Sequence, residues 1–439
     1  VAVDNQFLNA VDYANTMLLL VKNELVMGRL VSKTFLPDVT DENGLKIFVK
    51  RPPRFIQTSG PTFQPQNIAT GRTEVEVTQY KNVHLNITDL QYVQSMNQLM
   101  LSETMKSAAS TLAQGVDTYL QGFLQRFPSW VNAPGATGTD YALATPQQFI
   151  PVATRLGNMA VPNSDRQAVL SLEDSAGIQG SLIDKYMSGV AQTALERGRI
   201  PMLSNIKGFE TQNVGIVTTG TRTTSGAAQV DGATENVNYR DVKDTARFSQ
   251  TLSLKGLTNG NTIAAGEVFT IAGVYAVNPR QTSDTGANIR VLTYLQQFTV
   301  LDAVTVTGTT EDVTISPPII VPYTDATGAV TEVKWENTAF ATASAIPADS
   351  ANVTWAGNAS STFTQRAGFH KTAIQLVGAR LITPFNGISA FASDPESGLS
   401  IRYWRGSDFT NATHGHRWDM IYGGQCVQPM LGTRFSGTA

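Results

Sequence analysis

A single cysteine, Cys426, stands in 439 residues. The chain can close no internal disulfide and carry no cysteine-based zinc site. That is expected of a reducing compartment, or of a protein that does not rely on covalent staples. Charge is also scarce. Asp, Glu, Lys and Arg make up 15% of the residues, against about a quarter in ordinary globular proteins. The 32 basic and 35 acidic residues nearly cancel, leaving a net charge of −3. A dedicated nucleic-acid binder needs a basic excess to neutralise phosphates, so that class is disfavoured. The early apolar run Met17 to Val21 is stopped by Lys22 and Glu24 and is too short to span a bilayer. No charged leader with an apolar core and a cleavage site is seen, so no secretory signal is expected.

Catalytic patterns are missing too. There is no G-x-S-x-G elbow, Walker phosphate loop, dinucleotide fingerprint or H-E-x-x-H. Of the four histidines, His414 and His416 with Asp419 could in principle hold a metal, but a solvated hairpin tip is the favoured reading. Cys426 reads as a small buried hydrophobe rather than a nucleophile. No catalytic residue, cofactor or metal is expected.

What is present is enough apolar material for a core: 41% hydrophobic residues and 36 glycines. At roughly 150 residues per domain the length suggests about three units. A chain this poor in charge is expected to have much of its surface covered, most simply by other copies of itself.

The first segment has helical spacing, with Phe7, Val11, Ala14, Leu18, Val21 and Leu25 on one face. Leu45–Val49 and Val75–Ile87 alternate as half-buried strands. Between them runs a long polar stretch opening on Lys50-Arg51-Pro52-Pro53-Arg54. Loops of that length are usually functional, and a long hairpin with a polar tip needs a surface to lie on. Thr88 to Gln91 reads as a capping box opening a helix to about Arg126, on the order of 55 Å long. Thr145 to Gln148 reads as a second box, Ala168–Leu172 as a buried strand, and Leu182–Leu195 as another helical face. From Gln212 to Gln365 the chain is threonine-rich, turn-rich and without helical period, which predicts an all-β module inserted into an α/β chain. Its strand candidates are Phe248–Leu254, Glu267–Val274, Gln297–Val306, Asp312–Ile315 and Ala351–Trp355.

Some short stretches carry a family likeness. They are Phe48-Val49-Lys50-Arg51-Pro52, Ala69-Thr70-Gly71-Arg72, Ser400-Ile401-Arg402 and the closing Gly432-Thr433-Arg434-Phe435-Ser436-Gly437. Within the β module they are Val237-Asn238 through Arg247-Phe248 and Ile271-Ala272-Gly273-Val274. In their order and spacing the chain resembles the major capsid proteins of tailed bacteriophages, which have the HK97-like fold. It most resembles the P22-like short-tailed phage coat proteins, which carry an insertion domain. The resemblance implies an α+β fold: an N-terminal arm helix (1–36), an E-loop β arm (37–87) and a peripheral domain with a spine helix (88–135). It further implies an axial domain (136–214, returning at 366–397), an inserted β-barrel domain (215–365), a peripheral-domain hairpin (398–424) and a C-terminal axial segment (425–439).

It also implies a non-enzymatic subunit that assembles with itself, as hexamers and pentamers, into an icosahedral shell around double-stranded DNA in the host cytoplasm. Further implied partners are a scaffolding protein, a portal at one vertex, DNA held non-specifically and an optional decoration protein, with no membrane. Candidate inter-subunit contacts are Lys50, Arg51, Arg54 and Arg72 on the arm. Asp231, Glu235, Arg240 and Asp241 are candidates in the insertion. Asp12 matches an acidic scaffold-contact position. An encapsulin-type cargo compartment is the runner-up, and a β-rich adhesin or glycan-acting enzyme is a distant third.

Overall fold

The computed structural model describes residues 10–36, 45–56, 61, 65–66, 68–88, 103–135, 138–182, 202–222, 228–282, 289–322, 332–384, 387–408 and 413–438. The chain divides into two units. One comprises Val1–Phe48, Glu74–Leu120 and Ile374–Gln425, the other Val49–Thr73, Gln121–Ala373 and Cys426–Ala439.

In the first unit a hairpin of Leu399–Asp408 and Thr413–Cys426 sets the sheet. Ile401 pairs with Met420 and Tyr403 with Trp418, and all four side chains are buried. Such apolar cross-strand pairs fix register, because a slip of one residue would turn them outward. Gln79–Thr88 pairs along the other edge of Thr413–Cys426. Ile374–Ala379, Ser32–Leu36 and Ile388–Asp394 complete the six strands. The helix Ala10–Glu24 packs across Ile388–Asp394 and Leu399–Asp408, burying Ala14, Met17, Leu18 and Val21. Val11, expected on that face, is 46% exposed. The buried stripe is centred on 14, 17, 18 and 21, and Val11 lies in the first turn at its margin. Phe7 lies outside the described residues.

The helix expected from Thr88 to Arg126 is described as Glu103–Gln121, followed by a 3-10 turn at Leu124–Arg126. Thr88 ends the strand Gln79–Thr88, and the rest of its supposed capping box lies outside the described residues. Asp117 of this helix is buried. Its carboxylate accepts the amides of Val26 at 2.8 Å and Gly28 at 3.1 Å, at the start of the short helix Met27–Leu30. The backbone donors of that turn are thus met by a side chain 91 residues away. Burial nevertheless raises the Asp117 carboxyl above its ordinary value.

The second unit holds two principal sheets. One has five strands in the order Ser129–Val131, Gly432–Phe435, Ala367–His370, Arg166–Leu170 and Lys207–Glu210. The other runs Val353–Trp355, Val268–Thr282, Ile289–Val300, Thr310–Ser316, Gln250–Lys255 and Gln229–Val230, all neighbours antiparallel. Alternate residues of these strands, among them Leu252, Leu254, Phe269, Ile271, Phe298, Val313, Ile315 and Trp355, form one apolar core. Its two outer strands also bond to each other: Val353 N donates to Ala228 O at 2.9 Å and Val230 N to Ala351 O at 3.0 Å.

The Thr145 box is not made. Thr145 makes no side-chain cap, while Gln148 Oε1 accepts the Ala144 amide at 2.8 Å. The reciprocal pair lies instead at the helix Leu172–Leu182. Ser171 Oγ accepts the Asp174 amide, and Asp174 Oδ2 accepts the Ser171 amide. The helical face expected beyond Leu182 lies outside the described residues.

Candidate assembly surface

The proline-broken arm enters and leaves through a two-stranded ladder, Lys46–Lys50 with Arg72–Glu76. Lys46 and Glu74 bridge it at 2.6 Å. Beyond the ladder Arg51 N donates to Gly71 O at 2.7 Å. The described part of the arm then lies against apolar residues of its own unit. Ile56 and Ala69 share a cluster with Tyr239, Val242, Phe248, Ile320, Ala339 and Phe340. The surface that a polar hairpin needs is thus supplied within the chain. Glycine is required at 71, since a Cβ there would fall 2.5 Å from Lys243 O.

The four basic candidates of the arm are placed differently. Lys50 is exposed. Arg51 is turned inward, 7% exposed. Its Nε donates to Val427 O at 3.2 Å, Nη1 to Lys243 O at 3.1 Å and Nη2 to Thr245 O at 3.4 Å, and it lies 4.7 Å over the Phe248 ring. Burial pulls this guanidinium below its ordinary pKa. Arg54 is exposed, with its guanidinium 5.5 Å over the Phe340 ring. Arg72 stands 3.8 Å from Asp244.

The insertion candidates meet partners in the same chain. Lys255 holds Asp231 at 3.4 Å and Asp349 at 2.5 Å. Arg240 grips Glu336 with two nitrogens, at 3.0 and 3.3 Å. Asn238 Nδ2 donates to Asp241 at 3.3 Å. Glu235 is half-buried, and burial raises its carboxyl. Asp12 lies exposed in the first turn of Ala10–Glu24.

The supposed metal trio is separated. His414 Nδ1 bonds Ser407 Oγ at 3.1 Å and is half-buried, whereas His416 Nδ1 bonds Tyr403 OH at 2.7 Å and is buried. Asp419 has the opposite parity on the strand and is taken by Arg402 and Arg417. Burial pushes the Cys426 thiol up to about 12, so it is held as an unreactive thiol.

Sequence reasoning missed the aromatic wall beside the arm. Tyr239 and Phe340 stack in parallel, centroids 3.7 Å apart. With Arg51, Arg54 and Phe248, and with residues 427–430, they line a small cleft of about 70 Å³. The one available signal was Tyr239, directly before the singled-out Arg240. The other walls come from segments far apart in sequence. Also unforeseen were the buried charges Arg222–Glu267 and Arg366 with Asp174 (2.5 Å) and Asp140 (2.8 Å). Among the described residues no helix is long and apolar enough to cross a membrane.

Comparison with known proteins was made on sequence and on structure. Solved structures similar over most of the chain include one of Mycobacterium phage Che8 (12% identity, 94% of this chain and 92% of that one, TM-score 0.43). Others are the capsid of cyanophage P-SCSP1u (9%, 100% and 92%, 0.42) and the capsid of Ralstonia phage GP4 (7%, 94% and 88%, 0.44). No curated protein matches the chain. The sequence model of the family described as "P22 coat protein - gene protein 5" matches residues 11–437. This is a structural protein of the virion, a major capsid protein that forms the phage shell. The chain belongs to the P22 coat protein family.

Proposed function

We propose that the shell subunit has the HK97-like architecture. In this reading the helix Ala10–Glu24 belongs to the N-terminal arm. Lys46 to Ile87 is the E-loop, Thr88 to Arg126 the spine helix and Gly215 to Gln365 an outward insertion domain. The remaining segments fill the peripheral and axial domains with the boundaries given above. The match to one coat-protein family across residues 11–437 carries the reading. Supporting it are the ladder that leads into the arm, the helix Glu103–Gln121, and the hydrogen bonds between the outer strands of the six-stranded sheet, which suit a closed barrel.

The subunit acts by geometry and is not an enzyme. Copies assemble as hexamers and pentamers in the host cytoplasm around a scaffolding protein that contacts Asp12. A portal occupies one vertex, and double-stranded DNA fills the finished shell without sequence-specific grip. Near-neutral charge suits that wall, because a strongly basic lining would hold the packaged DNA. Lys50, Arg54 and Arg72 on the arm, and Asp231, Glu235, Arg240 and Asp241 in the insertion, help set register between copies. Exposed ion pairs of this kind contribute little individually but select geometry.

Negative-stain microscopy of the expressed chain, with and without a scaffolding protein, tests the reading. Closed shells of uniform diameter are expected. Monomers or fibres alone under both conditions would overturn it.

A further inference from the structure

We propose that the cleft walled by Arg51, Arg54, Tyr239, Phe248, Phe340 and Met430 receives a carboxylate side chain from a second copy of this chain. The proposal rests on the shell-forming reading and names where and by what chemistry one contact is made.

The cleft is a small niche of about 70 Å³, room for the end of one side chain. Its walls are mostly carbon: Phe248, Phe340, Val277, Met159, Pro429 and Met430. Two guanidiniums stand in it, yet no Asp or Glu lines it. Among the described residues neither Arg51 nor Arg54 has a carboxylate within ion-pair distance. Arg222, Arg366 and Arg402, by contrast, each hold a carboxylate inside the chain. The hydroxyl of Tyr239 is buried against the Gly71 backbone. The parallel Tyr239 and Phe340 rings make one flat, stiff wall beside Arg54.

A guanidinium over an aromatic ring, next to a second guanidinium, matches one planar carboxylate. Duplex DNA fits poorly. Its phosphates are gripped by open basic surfaces making many contacts, not by two cations beside carbon walls. A second copy fits on charge, because this chain carries more acidic than basic residues. A closed shell also presents the same two surfaces to each other at every equivalent contact, so a modest pairing is repeated many times.

The experiment places a photo-crosslinking benzoylphenylalanine at Met430 in the full chain. Shells are assembled from a mixture of light and heavy isotope-labelled chains, irradiated and peptide-mapped. Mixed light–heavy crosslinks onto a peptide containing Asp or Glu are expected. Crosslinks only within one copy, onto a peptide without a carboxylate, onto DNA or another virion protein, or none at all would overturn the proposal.

In parallel, Arg54→Glu, at an exposed position, should leave the thermal melt of the unassembled subunit unchanged and slow assembly on the order of tenfold. Changing the crosslinked carboxylate to Lys in the same chain should restore the rate. Assembly of R54E at the wild-type rate would overturn the proposal. If the unmodified chain forms no shells, the shell-forming reading fails first, and that failure is distinct from a shell whose cleft is empty or filled otherwise.

Discussion

Arg402 and Asp419 stand directly opposite each other in the hairpin of the first unit, and one carboxylate oxygen takes both Nε and Nη2 of the guanidinium, at 3.1 and 2.6 Å. Arg417 Nε holds the other oxygen at 2.5 Å, and Tyr80 OH accepts from both arginines at 3.0 Å. The carboxylate is fully buried, so removing it leaves the buried Arg402 guanidinium without its counter-ion. Asp419→Ala is expected to lower stability by about 3–5 kcal/mol, whereas replacing Arg402 and Asp419 together by Met and Leu should cost distinctly less. Urea unfolding of the unassembled subunit measures both. Equal losses in the single and double variants would show that packing, not stranded charge, sets the cost.

His416 provides a pH signature. Burial, with Arg405 and His414 nearby, lowers its pKa to about 4 from an ordinary 6.5. Its folded pKa is below the unfolded one, so the unfolded chain binds the extra proton first. Stability is then full above about 6.5 and declines as pH falls toward 4, by on the order of 3 kcal/mol. His416→Gln should flatten that part of the curve relative to wild type. The same acid window should loosen the Tyr13–Tyr403 stack, 5.5 Å between centroids, because Tyr403 is the hydrogen-bond partner of His416. Near-ultraviolet circular dichroism against pH reads both effects.

Arg434 is the third test. It is 1% exposed and donates to Phe127 O at 3.0 Å, Gly266 O at 2.7 Å, Gln365 Oε1 at 3.2 Å and Thr299 Oγ1 at 3.2 Å, with Trp130 beneath it at 5.3 Å. It therefore fastens the last strand to the long β-strands of the second unit. Arg434→Met leaves several buried acceptors unmet, each costing about 1–3 kcal/mol. The unfolding midpoint should fall sharply. Arg434→Lys, which keeps the charge but not the fork, should fall between that variant and wild type. A methionine variant as stable as wild type would show that water replaces the fork.

The sequence was most informative where periodicity is strong. The strands of the β module lie close to the segments that alternation marks, although Glu267–Val274 extends to Thr282 and Gln297–Val306 is broken into Ile289–Val300 and Val304–Thr305. Val75–Ile87 reads as one strand but divides after Glu76. There Gly423 presses against the Glu76 carbonyl, where a Cβ would fall 2.1 Å from the oxygen. That neighbour is some 350 residues away and leaves no local trace. Ser171 to Asp174 was legible as a capping pattern in principle, yet Thr145 to Gln148 is the more conventional motif. What distinguishes the former is Arg366 on Asp174, a tertiary contact. The basic cluster Lys50 to Arg54 was visible, but the direction of each side chain was not. Tyr239, Phe248 and Phe340 decide it by drawing Arg51 inward and leaving Arg54 at the cleft. Deleting Arg51 to Gly71 would uncover that aromatic cluster as well as remove an arm, so a single-residue change such as Lys50→Glu is the cleaner probe of assembly.

The hydrogen bonds from Val353 to Ala228 and from Val230 to Ala351 have a consequence for a protein that must live at very high local concentration. An assembling shell crowds identical chains together, and any bare strand edge is then a template on which the wrong copies can zip into fibres. In the threonine-rich sheet these bonds between the first and last strands cover part of such an edge. Along that stretch the backbone is already paired within the chain, and side-chain contacts are left to choose which neighbour is the right one.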